Sequence, residues 1–165
     1  MKCLVLSDSH SHPENIGKAI NKNPDAEVVF YLGDGIFMLD DYIEKYPDKA
    51  FIYVLGNCDR PSFIRGNFAK KVESITLCQR KIVLTHGDLY GAKYGLGGLI
   101  ALGKEERADV VLFGHTHVPK EHYDSDTGIW LFNPGTLEGS WDFGASFGIL
   151  TLSESGDVLL SHGKL

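Results

Sequence analysis

Apolar runs of five or six residues alternate with polar, glycine-bearing turns along the first third of the chain. Residues 2–7, 27–32 and 51–55 have the composition of buried strands. A helix is predicted after each of the first two, one starting near Ser11 and one over residues 36–46. This βαβαβ order indicates parallel strands, whose carboxyl ends meet at one edge of a sheet.

The rest of the chain favours β-structure. The further segments with a strand pattern are residues 72–77, 81–84, 109–113, 121–123, 129–132, 147–152 and 158–161. The first two predict an antiparallel pair joined around Gln79 and Arg80, and the fourth and fifth predict a hairpin. Residues 90–107 predict a helix interrupted by glycines. We therefore predict an α/β (α+β) fold with two packed mixed β-sheets flanked by helices.

Length and composition narrow the classes of protein. The 165 residues match one domain, so we expect a single domain over residues 1–165. A net charge of -6 disfavours bulk nucleic-acid binding. The apolar N-terminal run is too short for a signal peptide or membrane span, which predicts a cytoplasmic protein with no membrane association. Three cysteines indicate no disulfide framework, and Cys3 and Cys78 are predicted to be buried in strands. A homo-oligomer is compatible with the sequence.

Potential metal ligands follow the predicted strands. They are Asp8, His10, Asp34, Asn57, His86, His115 and His117. Oxygen and imidazole donors suit two neighbouring divalent cations, with one carboxylate able to bridge both ions. Taken singly, each residue has a structural alternative, such as a helix cap, a turn former or a surface imidazole. The occurrence of every donor at a strand end favours a metal site.

Five motifs together carry a resemblance to a known family. They are Asp8-Ser9-His10, Gly33-Asp34, Gly56-Asn57-Cys58-Asp59, Thr85-His86-Gly87 and Gly114-His115-Thr116-His117. In this order they resemble the calcineurin-like metallophosphoesterases. The third, fourth and fifth of these, the last within the stretch 108–117, are together with Asn133-Pro134-Gly135-Thr136 similar to the small prokaryotic phosphodiesterases, a subgroup related to the retromer subunit Vps29.

The resemblance implies a binuclear centre. One ion is expected on Asp8, His10, Asp34 and His117, and the other on Asp34, Asn57, His86 and His115, with Asp34 as the bridge. It further implies that a hydroxide between the ions attacks phosphorus in line, while the Asn57 amide also contacts a phosphoryl oxygen. Manganese is the expected metal, with iron, nickel or zinc as alternatives.

Two residues depart from the wider family pattern. Cys58 stands where many relatives carry a histidine that assists catalysis, so Cys58 is either a weak proton donor or a small residue that leaves room. Asp88 replaces a histidine common in the subgroup. Asp59 and Arg60 are interpreted either as residues that orient Asn57 or meet substrate, or as a surface ion pair.

The predicted function is metal-dependent hydrolysis of a small phosphate ester. The subgroup resemblance implies a diester more than a monoester, and no Lys/Arg cluster is present for a terminal phosphate. The main alternative is a Vps29-like protein-binding module, and a weaker one is a structural zinc protein. Residues 98–104 match part of a phosphate-binding loop, but their apolar run predicts a core-facing helix. Trp130 and Trp141 are expected to be packing residues, although the loop of Trp141 could cover the site.

Overall fold

Two five-stranded mixed sheets form the framework of the structure, a computed structural model that describes residues 1–61, 63–64 and 66–165. The strands are β1 (Lys2–Leu6), β2 (Val28–Tyr31), β3 (Ala50–Tyr53), β4 (Phe63–Ile64), β5 (Asn67–Phe68), β6 (Val72–Leu77), β7 (Arg80–Thr85), β8 (Val110–Leu112), β9 (Lys120–Asp124), β10 (Ile129–Asn133), β11 (Ser146–Leu152) and β12 (Val158–Lys164). The α-helices are α1 (Glu14–Lys22), α2 (Leu39–Lys45) and α3 (Gly97–Glu106).

Each sheet combines parallel and antiparallel strands. The first sheet has the order β12-β11-β1-β2-β3, in which β1, β2 and β3 are parallel. The second has the order β6-β7-β8-β10-β9, in which β7, β8 and β10 are parallel and the edge strands are antiparallel. Strands β4 and β5 form a separate small pair, which the sequence pattern did not predict. The predicted fold of two mixed sheets with flanking helices is confirmed.

Three apolar layers explain why the sequences of the central strands are continuous hydrophobic runs. Val5 and Phe30 of the first sheet meet Leu84, Leu112 and Phe132 of the second in the layer between the sheets. Helices α1 and α2 cover the outer face of the first sheet. Helix α3 covers the outer face of the second. Strands β1, β2 and β8 are therefore buried on both faces, as is usual for parallel strands under helices.

The helix predictions are confirmed with shorter bounds. The helix predicted over residues 36–46 begins as a 3-10 turn, Ile36–Met38, before α2. The segment predicted over residues 90–107 begins at the end of a 3-10 turn, Asp88–Tyr90, and contains α3. Residues 98–104 lie inside α3, as predicted. A β-carbon on Gly98 would lie 2.2 Å from the carbonyl oxygen of Tyr90, so this glycine allows close packing and is not part of a phosphate loop.

The β6–β7 turn corrects one prediction. Cys78 and Gln79 have φ angles of 45° and 63°, as the central residues of a two-residue hairpin of the type that matches strand twist. The turn therefore lies one residue before the predicted position, and the prediction that Cys78 is buried in a strand is wrong. Cys3 is buried in β1, and burial raises the pKa of its thiol to about 12.

None of the helices within the described ranges has the length and apolar character needed to cross a membrane. That residues 1–165 form one domain stays a prediction.

Candidate metal centre

All seven predicted donors follow strands at the carboxyl end of the two sheets. Asp8 and His10 follow β1, Asp34 follows β2, Asn57 follows β3, His86 follows β7, and His115 and His117 follow β8. Three of them, Asp8, Asp34 and His86, are buried. Asn57 is exposed, and the imidazoles of His10, His115 and His117 are partly buried. The topology thus brings residues more than 100 positions apart to one place, as the parallel strand order predicts.

The buried carboxylate of Asp8 is the most informative group of the site. Its Oδ1 accepts no hydrogen bond from the described residues. Three imidazole nitrogens surround this oxygen: Nε2 of His117 at 3.1 Å, of His10 at 3.7 Å and of His86 at 3.9 Å. Its Oδ2 accepts hydrogen bonds from the Ser7 hydroxyl and from the His115 backbone N–H. A buried oxygen without a donor is costly, and a bound cation would satisfy it.

The Asp34 carboxylate lies between the imidazoles of His86 and His10. Its Oδ2 is 3.3 Å from His86 Nε2 and 3.9 Å from His10 Nε2, and its Oδ1 accepts the Cys58 backbone N–H at 2.8 Å. Burial opposes ionisation of this carboxyl, but His86 and the hydrogen bond from Cys58 outweigh it and hold the pKa of Asp34 well below its usual range. Asp34 therefore offers a charged oxygen beside both imidazoles, those of His86 and His10.

The orientation of His86 leaves one ring nitrogen for a ligand. Its Nδ1 donates to the carbonyl oxygen of Leu32 at 2.7 Å, so Nε2 carries the free lone pair. That nitrogen also lies 3.2 Å from Asn57 Oδ1. Burial lowers the pKa of His86, but the carboxylates of Asp34 and Asp8 outweigh this and raise it overall.

The remaining imidazoles face one another across the site. His10 Nε2 lies 3.2 Å from His117 Nε2, and the ring of His115 meets that of His86 edge-on with centroids 5.1 Å apart. The Asp8 carboxylate raises the pKa of His117, whereas burial and the charge of His86 lower the pKa of His115. The nitrogens of His10 and His117 are therefore close enough to bind one cation together.

Three groups of donor atoms could hold a metal ion in the described part of the chain. They are Asp8 with His10 and His117, His10 with Asp34 and Cys58, and Asp8 with Asp34 and His86. The donor atoms within each group lie within 4.8 Å of one another. His115 is outside these three groups. The residue types fit a divalent cation, because carboxylate and imidazole donors predominate.

Backbone conformation sets five of the seven donors apart. Asp8, His10, Asp34, His115 and His117 all have positive φ angles, between 41° and 68°. Such angles are uncommon for residues other than glycine and cluster at functional sites, where the surrounding structure imposes them. The strained loops aim the side chains inward.

Asp59 holds the turn that carries Asp34. Its Oδ2 accepts the backbone N–H groups of Asp34 and Gly56, and its Oδ1 accepts those of Gly35 and Ile36, at 2.7–3.0 Å. Sequence reasoning left Asp59 undecided between a role in the site and a surface ion pair. The structure gives it a different task, namely anchoring the loop beside the proposed donors.

Asn133 plays the equivalent part for the loop of His115 and His117. Its buried amide donates to the carbonyl oxygen of Gly114 at 2.8 Å and to the Thr116 hydroxyl at 3.1 Å. The Thr136 hydroxyl in turn donates to the carbonyl oxygen of Asp8 at 2.8 Å. In the sequence, the Asn133-Pro134-Gly135-Thr136 motif is part of the family resemblance but had no predicted role. Its presence beside the donor motifs in that resemblance is the signal that could have indicated its role.

The two departures from the family pattern both lie near the donors. Cys58 is exposed, and its Sγ is 3.2 Å from Asn57 Nδ2. Partial loss of hydration beside the neighbouring side chains and the Asp34 carboxylate raise the pKa of its thiol. Asp88 lies 3.9 Å from Lys71 Nζ, and that ammonium donates to the carbonyl oxygen of Gly56 at 2.7 Å. Asp88 therefore takes part in a contact at the edge of the site.

The histidines and tryptophans outside the motifs have local contacts, with Trp141 as the exception. His12 pairs with Glu14, and His162 contacts the carbonyl oxygen of Asn133. Trp130 packs on Tyr123, as expected of a packing residue. Trp141 is fully exposed, so its interpretation as a packing residue is wrong.

The fold and the set of donor residues are together those of metallophosphoesterase-like α+β proteins. The sequence profile of the calcineurin-like phosphoesterase superfamily domain matches residues 1–155. The chain therefore belongs to the calcineurin-like phosphoesterase superfamily, whose metallophosphoesterase members use divalent metals.

Individual relatives agree with this assignment. The chain is 33% identical over 138 residues to the probable metallophosphoesterase YsnB of Bacillus subtilis, covering 83% of this chain and 75% of that protein. It is 26% identical over 148 residues to a phosphodiesterase of Methanocaldococcus jannaschii, covering 82% and 83%. The solved structure of Vps29 from Cryptosporidium parvum superposes with a TM-score of 0.75 at 18% identity, covering 99% of this chain and 98% of that chain, and shares the fold.

Proposed function

We propose that the chain is a phosphodiesterase that works with two divalent metal ions. The observation that carries this proposal is the buried Asp8 Oδ1, which accepts no hydrogen bond from the described residues although three imidazole nitrogens lie within 3.9 Å. An oxygen anion and several nitrogen lone pairs that converge in a buried place are stabilised by cations. The same residues without ions would leave this oxygen unsatisfied.

The proposed ligand sets share Asp34. One set is Asp8, His10, Asp34 and His117, and the other is Asp34, Asn57, His86 and His115. The position of Asp34 Oδ2, 3.3 Å from His86 and 3.9 Å from His10, supports a bridging role. Metal ions in such a site offset charge on phosphoryl oxygens and lower the pKa of water to about 7.

The chain's own residues supply orientation and hydrogen bonds. Asn57 directs Oδ1 towards His86, and one of its amide N–H groups donates to Cys58 Sγ. Because the side chain is exposed, the second amide N–H can donate to a phosphoryl oxygen. The thiol of Cys58 stays protonated at neutral pH, because burial and Asp34 raise its pKa. It is therefore a weak general acid, and we expect the protein to prefer good leaving groups.

Manganese is the metal that we propose to test first. Carboxylate and amide oxygens suit Mn²⁺, while the imidazoles also accept iron, nickel or zinc. A structural zinc role is disfavoured, because such sites usually contain several thiolates and Cys58 is the one thiol in the donor groups of the described residues.

The substrate that we propose is a small phosphodiester in the cytoplasm. The donor motifs contain no Lys/Arg cluster to hold a terminal phosphate, and a net charge of -6 disfavours bulk nucleic acid. The name of the Methanocaldococcus jannaschii relative, a phosphodiesterase, also supports a diester. Rates on bis-p-nitrophenyl phosphate and p-nitrophenyl phosphate test this choice: the diester should react faster, and clear preference for the monoester would overturn it.

A protein-binding role is the second candidate function. Phe37 and Tyr94 expose 68% and 97% of their surface, and Trp141 is fully exposed. Tyr94 and Trp141 lie in loops and Phe37 in the 3-10 turn Ile36–Met38, all at the carboxyl end of the sheets. Exposed aromatic side chains of this kind are typical of binding surfaces. Two bound metal ions without turnover of any phosphoester would favour this role.

A further inference from the structure

A cavity of about 550 Å³ opens beside the proposed metal centre. Residues 92–96 form one wall, and Thr116, Val118 and Lys120 line the other. Thr116 stands between His115 and His117 in the chain, so the cavity begins next to two of the proposed donors. The family resemblance assigns no role to these lining residues.

Apolar side chains cover much of this cavity. Phe113 is buried at its base, and Leu96 lies in its wall. Tyr94 and Val118, by contrast, expose 97% and 43% of their surface to solvent. A flat ring placed against Tyr94 and Val118 would remove this apolar surface from water.

Two lysines give the cavity a positive charge. Lys93 and Lys120 are exposed, and neither side chain forms a hydrogen bond or an ion pair with the described residues. No carboxylate is among the residues that line the cavity. Other lysines, such as Lys2 and Lys81, are paired with acidic side chains. In a chain with a net charge of -6, this local excess of positive charge favours an anion.

We propose that this cavity binds the alcohol part of the substrate and selects a ring system that carries a second anionic group. A nucleoside phosphodiester that carries a second phosphate group is the chemical class that fits: the diester phosphate at the metal centre, the ring against Tyr94 and Val118, and the second phosphate near Lys93 and Lys120. This inference rests on the proposed function, since the first phosphate is placed by the metal ligands.

Competition with a chromogenic substrate tests this selection. Manganese-loaded protein hydrolyses bis-p-nitrophenyl phosphate in the presence of inorganic phosphate, adenosine 5′-monophosphate or adenosine 3′,5′-bisphosphate. The bisphosphate should inhibit about five- to tenfold more strongly than the monophosphate, as two exposed ion pairs allow. The monophosphate should in turn inhibit more strongly than inorganic phosphate, because of the ring.

Matched variants assign the effect to the cavity. Lys93→Ala combined with Lys120→Ala should abolish the preference for the bisphosphate over the monophosphate, and Tyr94→Ala should reduce the preference for the monophosphate over inorganic phosphate. Lys104→Ala, which removes an exposed lysine of α3 outside the cavity, should keep both ratios. Equal inhibition by the two nucleotides, or a preference that survives the double substitution, would overturn the inference.

The experiment separates this inference from the proposed function. If the metal-loaded protein does not hydrolyse the chromogenic substrate, the proposed function fails, and calorimetric titration of the same protein with the two nucleotides still tests the cavity. A bisphosphate preference that depends on Lys93 and Lys120 in that titration would support the cavity as a binding site. No difference between the nucleotides would reject it.

Discussion

Replacing Asp59 with asparagine is expected to weaken the turn that carries Asp34. The Asp59 carboxylate accepts four backbone N–H groups, two on each oxygen. An asparagine amide has one acceptor oxygen, and its NH₂ group would face two N–H donors that it cannot satisfy. The substitution conserves size and removes one negative charge, so the change reports on these hydrogen bonds and on the charge that strengthens them.

The expected magnitude follows from the two hydrogen bonds that are lost. A hydrogen bond to a charged group contributes about 1.5–3 kcal/mol, so two give about 3–6 kcal/mol. Asp59 is half-buried, and water can replace part of this contribution. We therefore expect the free energy of unfolding to fall by about 2–4 kcal/mol, which corresponds to a decrease in Tm of roughly 4–16 °C.

Urea unfolding of the metal-free protein measures the free energy, and calorimetric titration measures the affinity for Mn²⁺. The affinity should fall about tenfold or more, as is usual when a residue that orients a metal ligand is replaced. Asp126→Asn, an exposed position in the β9–β10 turn, is the control and should change stability by less than about 0.5 kcal/mol. If Asp59→Asn unfolds and binds Mn²⁺ like the unmodified protein, the anchoring role of Asp59 is refuted.

Three further substitutions test other parts of the site. Gly56→Ala places a β-carbon 2.0 Å from Asp34 Oδ1 and should lower Mn²⁺ affinity about tenfold or more in calorimetry, whereas Gly97→Ala, with open space around it, should not. Asn133→Ala removes three hydrogen bonds of a buried amide and should lower the free energy of unfolding by about 2–4 kcal/mol in urea; an unchanged midpoint would contradict its role. Cys58→His should raise turnover of diesters with poor leaving groups about tenfold or more, and no gain at unchanged metal content would count against a missing general acid.

The position of the site could be predicted because it depends on local patterns. Apolar runs bounded by Gly and Asp define the parallel strands, and their carboxyl ends necessarily share an edge. Gly114-His115-Thr116-His117 follows β8 as its apolar pattern requires. The prediction of two mixed sheets was possible because the alternation of strands and helices gives way after Asn57 to a series that consists mainly of strands.

The supports of the site could not be predicted, because they depend on contacts between distant segments. Nothing near Asp59 indicates that its carboxylate binds the turn of Asp34, 25 residues earlier. The positive φ angles of Asp8 and His117 likewise could not be predicted, because Asp and His adopt such angles more often than most residues but still uncommonly, and the packed loops impose them here. Cys78 was misplaced because a two-residue turn without glycine or asparagine has no clear signal.

Titration of metal-stripped protein with Mn²⁺, with bis-p-nitrophenyl phosphate hydrolysis followed at each addition, tests the central claim most directly. Asp34→Asn is measured in parallel, because the proposed bridge contributes to both ligand sets. The account predicts two ions bound per chain, turnover that rises as the second ion binds, and loss of both the second ion and turnover in Asp34→Asn. Saturation at one ion per chain, or turnover that survives metal removal or the Asp34 substitution, would contradict it.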